Sequence, residues 1–427
     1  MSSAFVIRNA VRFGRRLLAG RTQFAFERPQ SIGLEIDGPV GLYVHVPFCA
    51  QLCPYCPYDR IPYDRALADA FVESVGAEAR QWAQRLPGRQ VSSIYFGGGT
   101  PTILGPQLAQ IAASLREAFA VSGPLCLETN PADLTPKKVR MLADLGVESI
   151  SLGVQSFQQP LLQRLGRKYS PAQARRALEW LARERWAINV DLMFALPGQS
   201  MEDLDADLRE ALSCGAQQLT AYPLFTFPYS AVASHRALQG VQMPRLPTRR
   251  RMFRRVWDRS TAAGFAPVSV WSFMRPEGGH RYSSVTRRRF LGLGPSAASF
   301  DGRRYLLNTF SVPEYVRSVR ERGHAVALSM PIEPRLERLY DFYWRLYDTY
   351  VPKTKPGASA VPGRRRIEAL LDAGGLLGML EQDASGYRLN RRGAFWIHVA
   401  QNYFFLSDVN TIWATALRDP WPARIAF

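Results

Sequence analysis

The first two-thirds of the sequence alternates between short apolar runs and longer segments in which apolar residues recur with the helical period. The apolar runs have the length of buried strands and are predicted at residues 42–48, 93–96, 125–129, 149–154, 189–195 and 219–224. Intervening helices are predicted at residues 65–84, 107–119, 171–183 and 201–212. Strands separated by helices pair in parallel, because such connections return the chain across the sheet. The pattern therefore predicts an α/β fold, a partial or complete parallel barrel with its site at the carboxyl ends of the strands.

The alternation weakens after about residue 230 and changes in character at residue 311. A strand-like run at 267–273 and a glycine-rich run at 291–296 are assigned to the barrel edge. Beyond them, predicted helices at 339–350, 365–373 and 394–406 accompany a hairpin at 386–393, an order typical of a winged helix. We therefore divide the chain into an N-terminal extension (1–39), a barrel (40–310) and a helical C-terminal domain that covers the substrate (311–427).

Composition and charge restrict the class of protein and of partner. With 427 residues, 47% hydrophobic and 21% charged, the chain has the composition of a globular protein with one large and one smaller domain. Lys and Arg number 54 against 36 Asp and Glu, which favours an anionic partner such as a polycarboxylate, a membrane surface or nucleic acid. Nucleic acid has the least support, because no zinc-finger, basic-zipper or ribonucleoprotein motif accompanies the charge. A solvated basic surface is the alternative interpretation.

The N-terminal extension mixes apolar and basic residues and has no acid before Glu27. Its apolar residues are Phe5, Val6, Val11, Phe13, Leu17 and Leu18, and its basic residues are Arg8, Arg12, Arg15 and Arg16. The pattern predicts a basic amphipathic helix that lies on an anionic bilayer, with a disordered tail or a transit peptide as alternatives. Neither a secretory signal nor an apolar run of about eighteen residues occurs. We expect a cytoplasmic protein, with peripheral contact at the inner membrane surface as a hypothesis.

Three of the five cysteines crowd into the segment Cys49-Ala-Gln-Leu-Cys53-Pro-Tyr-Cys56, directly after a predicted strand. Cys126 and Cys214 lie alone in apolar stretches, so no disulfide framework is indicated. Three thiolates at this spacing can bind three of the four irons of a [4Fe–4S] cluster and leave one iron open to a substrate. Zinc is the alternative metal, and it would need a fourth ligand, for which His45 is the only local candidate.

The cysteine motif and four ordered motifs after it resemble the oxygen-independent coproporphyrinogen III oxidase family of radical S-adenosylmethionine (SAM) enzymes. The first motif is Tyr43-Val-His-Val-Pro-Phe-Cys49-x3-Cys53-x-Tyr55-Cys56. The others are Tyr95-Phe-Gly-Gly-Gly-Thr-Pro-Thr102, Glu128-Thr-Asn-Pro131, Ser151-Leu-Gly-Val-Gln-Ser-Phe157 and Asp191-Leu-Met-Phe-Ala-Leu-Pro-Gly-Gln199. The resemblance covers residues 40–230 tightly. It implies a radical SAM barrel, a [4Fe–4S] cluster on the three cysteines, one or two SAM molecules and a reducing partner such as flavodoxin or ferredoxin.

Candidate SAM-binding residues lie where the predicted strands end. Gly97, Gly98 and Gly99, followed by Thr100, would allow the backbone to approach a small ligand closely. Glu128 closes an apolar strand, where an acid is either a ligand contact or a partner of a helix N-terminus.

The resemblance implies roles for further residues. Tyr43 would lie close to the cluster-bound SAM, and Tyr55 would pack against its adenine. Gln155 and Asp191 would hydrogen-bond the ribose, and the segment that holds Gly292 and Gly294 would help to bind a second SAM. The implied chemistry is one-electron cleavage of SAM to methionine and a 5′-deoxyadenosyl radical. No catalytic residue is assigned beyond these cofactor contacts.

Three functions occur in the family, and the sequence leaves the choice between them open. We favour methylation of an aromatic or quinone-like carbon with a second SAM, as in class C methyltransferases such as menaquinone ring methyltransferases. The aromatic residues between Phe395 and Trp421 fit an apolar ring, although they could equally form the core of the small domain.

Oxidative decarboxylation of coproporphyrinogen in haem biosynthesis is the first alternative, because the arginine runs at 249–251 and 287–289 suit a polycarboxylate. Tyr58, however, stands where the oxidase pattern has a further cysteine. A haem chaperone-like binding protein is the second alternative.

Overall fold

A long mixed sheet runs through the protein, with six consecutive parallel strands at its centre. The computed structural model describes residues 23–225, 243–278, 288–353 and 364–427, together with positions 16, 20, 230 and 281. The strands are β1 (Ala25–Glu27), β2 (Val40–Val46), β3 (Phe48–Cys49), β4 (Ile61–Pro62), β5 (Gln90–Gly98), β6 (Ala120–Val121), β7 (Leu125–Thr129), β8 (Val147–Gln155), β9 (Ala187–Phe194), β10 (Gln218–Pro223), β11 (Ala266–Pro267), β12 (Ser272–Met274), β13 (Phe290–Leu293), β14 (Ala298–Phe300), β15 (Arg304–Asn308), β16 (Val326–Pro331), β17 (Tyr350–Pro352), β18 (Leu380–Gln382), β19 (Gly386–Leu389) and β20 (Arg424–Ala426). The α-helices are Arg65–Arg85, Gln107–Ala118, Pro136–Asp144, Gln159–Arg164, Pro171–Leu181, Met201–Ser213, Leu246–Ala262, Val312–Arg322, Pro334–Tyr347, Arg364–Leu376, Arg391–Phe404 and Asn410–Ala416, with a short 3₁₀ helix at Pro101–Leu104 and a π-helical turn at Phe405–Val409.

The strands β2, β5, β7, β8, β9 and β10 are neighbours in this order, and every pair among them is parallel. They coincide with the six predicted strands. On the far side of β2 the sheet gains β13 in parallel, and β14, β15, β16, β1 and β20 continue it in antiparallel pairs. Among the described strands, β11 and β20 lie at the two ends of the sheet, so the barrel is partial. The predicted α/β fold class is confirmed.

Side-chain caps explain where several helices begin. The Asp64 carboxylate accepts a hydrogen bond from the Leu67 backbone N–H at 2.8 Å. Ser170 with Gln173, and Ser200 with Asp203, form capping boxes that satisfy backbone N–H groups of the first helical turn. The helices after these three caps begin at residues 65, 171 and 201, as the sequence predicts.

The main hydrophobic core lies between the parallel strands and the helices that connect them. Val44 on β2, Phe96 on β5, and Trp82 and Ile111 on neighbouring helices are all at most 1% exposed. Burial on this scale holds each strand in one register, because a slip of one residue would turn these side chains away from the core. The carboxyl ends of the strands are therefore held together at one edge.

The C-terminal part adds a small sheet, β17–β19–β18, surrounded by the helices Pro334–Tyr347, Arg364–Leu376 and Arg391–Phe404. Its contacts reach into the barrel, since Phe395 belongs to the main core and β15 pairs with β16 across residue 311. The predicted domain division at 310/311 stays a prediction.

The predicted N-terminal amphipathic helix lies outside the described residues, apart from Arg16 and Gly20. Later in the same extension, β1 pairs with β20 and so ties residues 25–27 to the C-terminal end. Within the described ranges, none of the helices has the length and apolar character needed to cross a membrane.

Candidate active site

The three neighbouring cysteines lie in one loop at the carboxyl end of β2. Cys49 is in β3, which pairs in parallel with β4, and its carbonyl oxygen accepts a hydrogen bond from the Tyr63 N–H at 3.0 Å. Cys53 and Cys56 share a turn in which the Cys56 N–H donates to the Cys53 carbonyl at 3.2 Å. The β3–β4 pair thus closes the base of the loop, so that a short span presents all three thiols. We call residues 49–63 the cysteine loop.

The glycine run at the end of β5 packs against this loop. The Gly99 N–H donates to the Val46 carbonyl at 2.7 Å, and the Thr100 N–H donates to the Phe48 carbonyl at 2.8 Å. A Cβ atom on Gly99 would lie 2.5 Å from the Phe48 oxygen and 2.9 Å from Cys49 Sγ. Thr100 Oγ1 lies 3.7 Å from the same sulfur. Glycine is therefore needed here to let β5 approach the first cysteine.

The chain itself also fills the space beside the other two glycines. A Cβ on Gly97 would lie 2.9 Å from the rings of Tyr43 and Tyr95, and Gly98 has a φ of +111° with His45 and Val46 equally close. Contact of these glycines with a bound ligand stays a prediction.

Two of the predicted SAM contacts are acids on separate strands whose charges interact. Glu128 on β7 accepts a hydrogen bond from the Tyr95 hydroxyl at 2.5 Å. Asp191 on β9 accepts from Ser151 at 2.9 Å and from Asn189 at 2.8 Å. Burial, with repulsion from Asp191, raises the pKa of Glu128 to about 8, and burial raises the pKa of Asp191 to about 6. A cationic ligand between them would lower both pKa values.

Tyr55 and Gln155 lie where β8 and β9 end. The Tyr55 ring packs among apolar residues that include Leu161 and Met193. Gln155 is buried, has a φ of +66°, and its Oε1 accepts a hydrogen bond from the Tyr222 hydroxyl at 2.9 Å. A left-handed backbone at a non-glycine residue is costly and is often kept for a functional reason.

Two arginines at the site were missed by the sequence reasoning. Arg167 Nε donates to the Tyr55 hydroxyl at 2.9 Å, and its guanidinium lies 5.6 Å from the ring centres of both Tyr55 and Tyr169. Arg60 donates to the carbonyls of Cys53 and Tyr58 at 2.6 and 2.9 Å. Arg60 stands four residues after Cys56 and could have been noticed, whereas no sequence signal marks Arg167.

The donor set fits an iron–sulfur cluster better than zinc. His45 Nε2 lies 2.8 Å from the Asp59 carbonyl oxygen, and its Nδ1 lies 3.0 Å from the Tyr43 hydroxyl, so both ring nitrogens are engaged. The local fourth ligand that zinc would need is thus occupied within the chain. Within the described ranges, no three His, Cys, Asp or Glu side chains are grouped closely enough to bind a single metal ion. In a cubane cluster, by contrast, the three thiolates bind three different irons and need not converge on one metal ion.

The thiols also need a metal in order to ionise. Burial raises the pKa of Cys49 to about 12 and raises that of Cys56, while the cations Arg60 and Arg167 lower that of Cys56 in part. A bound metal deprotonates a coordinating thiol outright. The loop therefore provides three neighbouring sulfurs and two cations that would offset the charge of the thiolates.

The Gly292–Gly294 segment is held beside β2 by a buried carboxylate. Gly292 is opposite Tyr43 in the parallel β13–β2 pair. The Gly294 N–H donates to Glu78 at 3.0 Å, and Asn308 and Tyr315 donate to the same carboxylate at 3.0 and 2.7 Å. A Cβ on Gly294 would lie 2.5 Å from the His45 carbonyl oxygen. These glycines are required by internal packing, and their contact with a second SAM stays a prediction.

The Glu78 carboxylate should make the stability of the fold depend on pH. Burial raises its pKa from 4.5 to about 7, so the folded state binds the proton more tightly than the unfolded state. Its stabilising effect is then complete below pH 4.5 and is lost as the pH rises to about 7. Glu78→Gln should remove this pH-dependent loss of unfolding free energy, which amounts to about 3 kcal/mol. Urea unfolding at pH 5 and pH 8 measures it, with the exposed Glu117→Gln as control. Identical pH dependence in both variants would contradict the assignment.

The arginine run at 249–251 lies in the helix Leu246–Ala262, and its fit to a polycarboxylate stays a prediction. The run at 287–289 does not reach the cysteine loop. Arg288 and Arg289 line a cavity of about 580 Å³ together with Pro39 and Ser92, near the amino-terminal ends of β2 and β5. This is the opposite end of the parallel strands from the thiols. Arg287 lies outside the described residues. Binding of a polycarboxylate beside the cluster by this run is therefore not supported by the fold.

Comparison with known proteins agrees with the geometry. A family model described as the radical SAM superfamily matches residues 43–211. A protein named "Heme chaperone HemW" from Mycobacterium tuberculosis (strain ATCC 25618 / H37Rv) is 30% identical over 273 residues, which cover 62% of this chain and 70% of the relative. The chain belongs to the oxygen-independent coproporphyrinogen III oxidase-like family of the radical SAM superfamily.

Two further proteins similar to this radical SAM protein are named coproporphyrinogen III oxidase. An oxygen-independent coproporphyrinogen III oxidase from Cereibacter sphaeroides is 28% identical and covers 67% of this chain, with 69% of the relative matched. The solved coproporphyrinogen III oxidase from Escherichia coli has the same fold, with a TM-score of 0.76 and 21% identity over 88% of this chain and 94% of the other. Membership assigns a [4Fe–4S] cluster and SAM to this chain, as predicted.

Proposed function

We propose that this radical SAM enzyme binds its cluster through Cys49, Cys53 and Cys56 and cleaves SAM there to start a radical reaction on a tetrapyrrole. The proposed cluster site rests on the cysteine loop itself, in which three buried or half-buried thiols lie in one short span and the first of them meets the glycine end of β5. The substrate class comes from the relatives, whose names refer to haem and to coproporphyrinogen.

The cofactors would supply the reactive chemistry. A cluster held by Cys49, Cys53 and Cys56 would supply, when reduced, the one electron needed to cleave SAM to methionine and a 5′-deoxyadenosyl radical. The three thiolates leave one position free for the amino and carboxylate groups of SAM. The protein's part is to orient SAM and to exclude water, which the buried surroundings of Tyr43 and Gln155 favour.

The neighbouring residues suit the parts of SAM by charge. Glu128 would hold its positively charged amino group and Asp191 its ribose hydroxyls, since the two buried acids are close enough for their charges to interact. Arg167 offers a cation for the carboxylate, and the Tyr55 ring that it contacts would pack on the adenine. Gln155 would add a ribose contact from β8.

A second candidate is methyl transfer from a second SAM, the reaction that the sequence favours. It is favoured by the position of the glycine segment, because Gly292 stands opposite Tyr43 in the strand next to β2. A second SAM bound there would lie close to the first. Tyr58, in the place of the oxidase's further cysteine, also distinguishes this chain from the decarboxylating pattern.

Product analysis tests both candidates. The anaerobically reconstituted full chain is incubated with dithionite, SAM and either coproporphyrinogen III or a naphthoquinone. Release of 5′-deoxyadenosine supports SAM cleavage, with carbon dioxide indicating decarboxylation and S-adenosylhomocysteine indicating methyl transfer. Absence of 5′-deoxyadenosine from protein with a full complement of iron and sulfide would refute the proposed function. The reducing protein partner stays a prediction.

A further inference from the structure

Tyr58 is an exposed aromatic residue within the cysteine loop. It follows Cys56 by two residues, and its carbonyl oxygen is fixed by Arg60 at 2.9 Å. The side chain is 47% exposed, although the neighbouring Cys56 backbone is anchored inside the loop. Its hydroxyl lies within reach of the charges of Glu128 and Asp191, the two acids proposed above to hold SAM. Tyr58 therefore lines the open side of the site.

A second aromatic ring reaches this place from the far end of the chain. Trp413 lies on the helix Asn410–Ala416, and its ring centre is 6.2 Å from that of Tyr58 at an angle of 49°. The buried Phe310 also packs against Trp413, with ring centres 5.9 Å apart. Leu417 is one helical turn beyond Trp413 and is 44% exposed. Two distant segments thus form one apolar surface beside the thiols.

The exposure of Tyr58 and Leu417 calls for a reason. Water contact with large apolar groups costs free energy, and groups of this kind placed together usually mark a binding surface. Within the cysteine loop, Leu52 and Tyr63 are also more than a third exposed, but Tyr63 packs edge-on against Phe48. Tyr58 and Trp413 differ in that their rings, from two distant segments, pack on each other beside the thiols.

We propose that Tyr58 and Trp413 form an aromatic platform that receives one face of a ring of the substrate and so selects for ring systems. The inference rests on the proposed function, because it assumes that the substrate enters beside the cluster. Two tilted aromatic rings in contact leave one outer face open to a third ring, in the offset geometry that aromatic groups prefer. The position of Tyr58, two residues from Cys56, would place that ring within reach of the radical.

The test measures binding of coproporphyrin III, the stable oxidised tetrapyrrole, to the reconstituted full chain by fluorescence titration. Tyr58→Leu and Trp413→Leu keep apolar volume but remove the ring, and each should raise the Kd on the order of tenfold. Tyr58→Phe keeps the ring and should bind as the wild type does. Tyr63→Leu is the matched control, an exposed aromatic of the same loop that lies away from Trp413.

Two results would overturn the platform. One is an unchanged Kd in Trp413→Leu, a variant outside the cysteine loop whose iron content the substitution should not affect. The other is equal displacement of the probe by butane-1,2,3,4-tetracarboxylate, which carries the charges without a ring. Failure of the proposed function is recognised separately, because wild-type protein would then release no 5′-deoxyadenosine whether or not the porphyrin binds.

Discussion

Replacing Cys53 by Ser is expected to remove both the brown absorbance of the cluster and the cleavage of SAM. Cys53 is half-exposed in the loop, so the substitution should leave the hydrophobic core intact. A serine hydroxyl does not ionise near neutral pH and is a poor ligand for iron, and two cysteines cannot hold the cubane in place. The loss should exceed the roughly 10–100-fold effect of removing a partner outside the ligand shell. Iron and sulfide analysis and anaerobic release of 5′-deoxyadenosine measure it.

Cys214→Ser provides the matched control for this substitution. Cys214 donates from its sulfur to the Ala211 carbonyl at 3.2 Å at the end of a helix, and a serine hydroxyl can make the same bond. The control should keep its full complement of iron and cleave SAM as the wild type does. SAM cleavage retained by Cys53→Ser would refute the assignment of the ligands.

Gly99→Ala should impair assembly of the cluster without replacing a ligand. The added Cβ would lie 2.5 Å from the Phe48 carbonyl oxygen and 2.9 Å from Cys49 Sγ. Because one of these neighbours is backbone, β3 must move away from β5, and Cys49 moves with it. Overpacking of this kind costs about 1–3 kcal/mol of folding free energy. We expect several-fold lower iron content after reconstitution, together with a lower unfolding midpoint.

The comparison variant is Gly33→Ala, where an added Cβ meets no atom within 4 Å. Lower iron content or a lower unfolding midpoint in this variant would indicate a general effect of replacing glycine, and we expect neither. Full cluster content in Gly99→Ala would show that the loop tolerates the shift. Cluster binding would then not depend on the close approach of β5 to Cys49.

The predicted strands and helices agree with the structure because their signals are local. Each parallel strand is buried on both faces, so its sequence is a continuous apolar run. Such a run can be recognised without knowing which strands lie beside it. Caps such as Asp64 and Ser170 mark helix starts within three residues of sequence. The spacing of Cys49, Cys53 and Cys56 is likewise contained in one segment, which is why the cluster motif can be recognised without the fold.

Other features of the site depend on contacts between distant residues. The approach of Arg167 to Tyr55 joins positions 112 residues apart, and no periodicity predicts it. The glycines of β5 and β13 were expected to make room for ligands, yet their neighbours in the structure are Tyr43, His45 and other parts of the chain itself. The arginine run that includes Arg288 suited a polycarboxylate by composition, but the fold directs it to the other end of the strands.

The sequence by itself determined the order of strands and helices and the identity of the metal-binding motif, because burial and thiolate spacing are recorded in short segments. Only the tertiary structure decided which charged and aromatic groups surround the thiols, since parallel pairing brings the ends of separate strands to one edge. The pairing of Tyr58 with Trp413 shows this most clearly. Their 355-residue separation carries no signal in the sequence, and the 6.2 Å between their rings follows from folding the C-terminal helix over the cysteine loop.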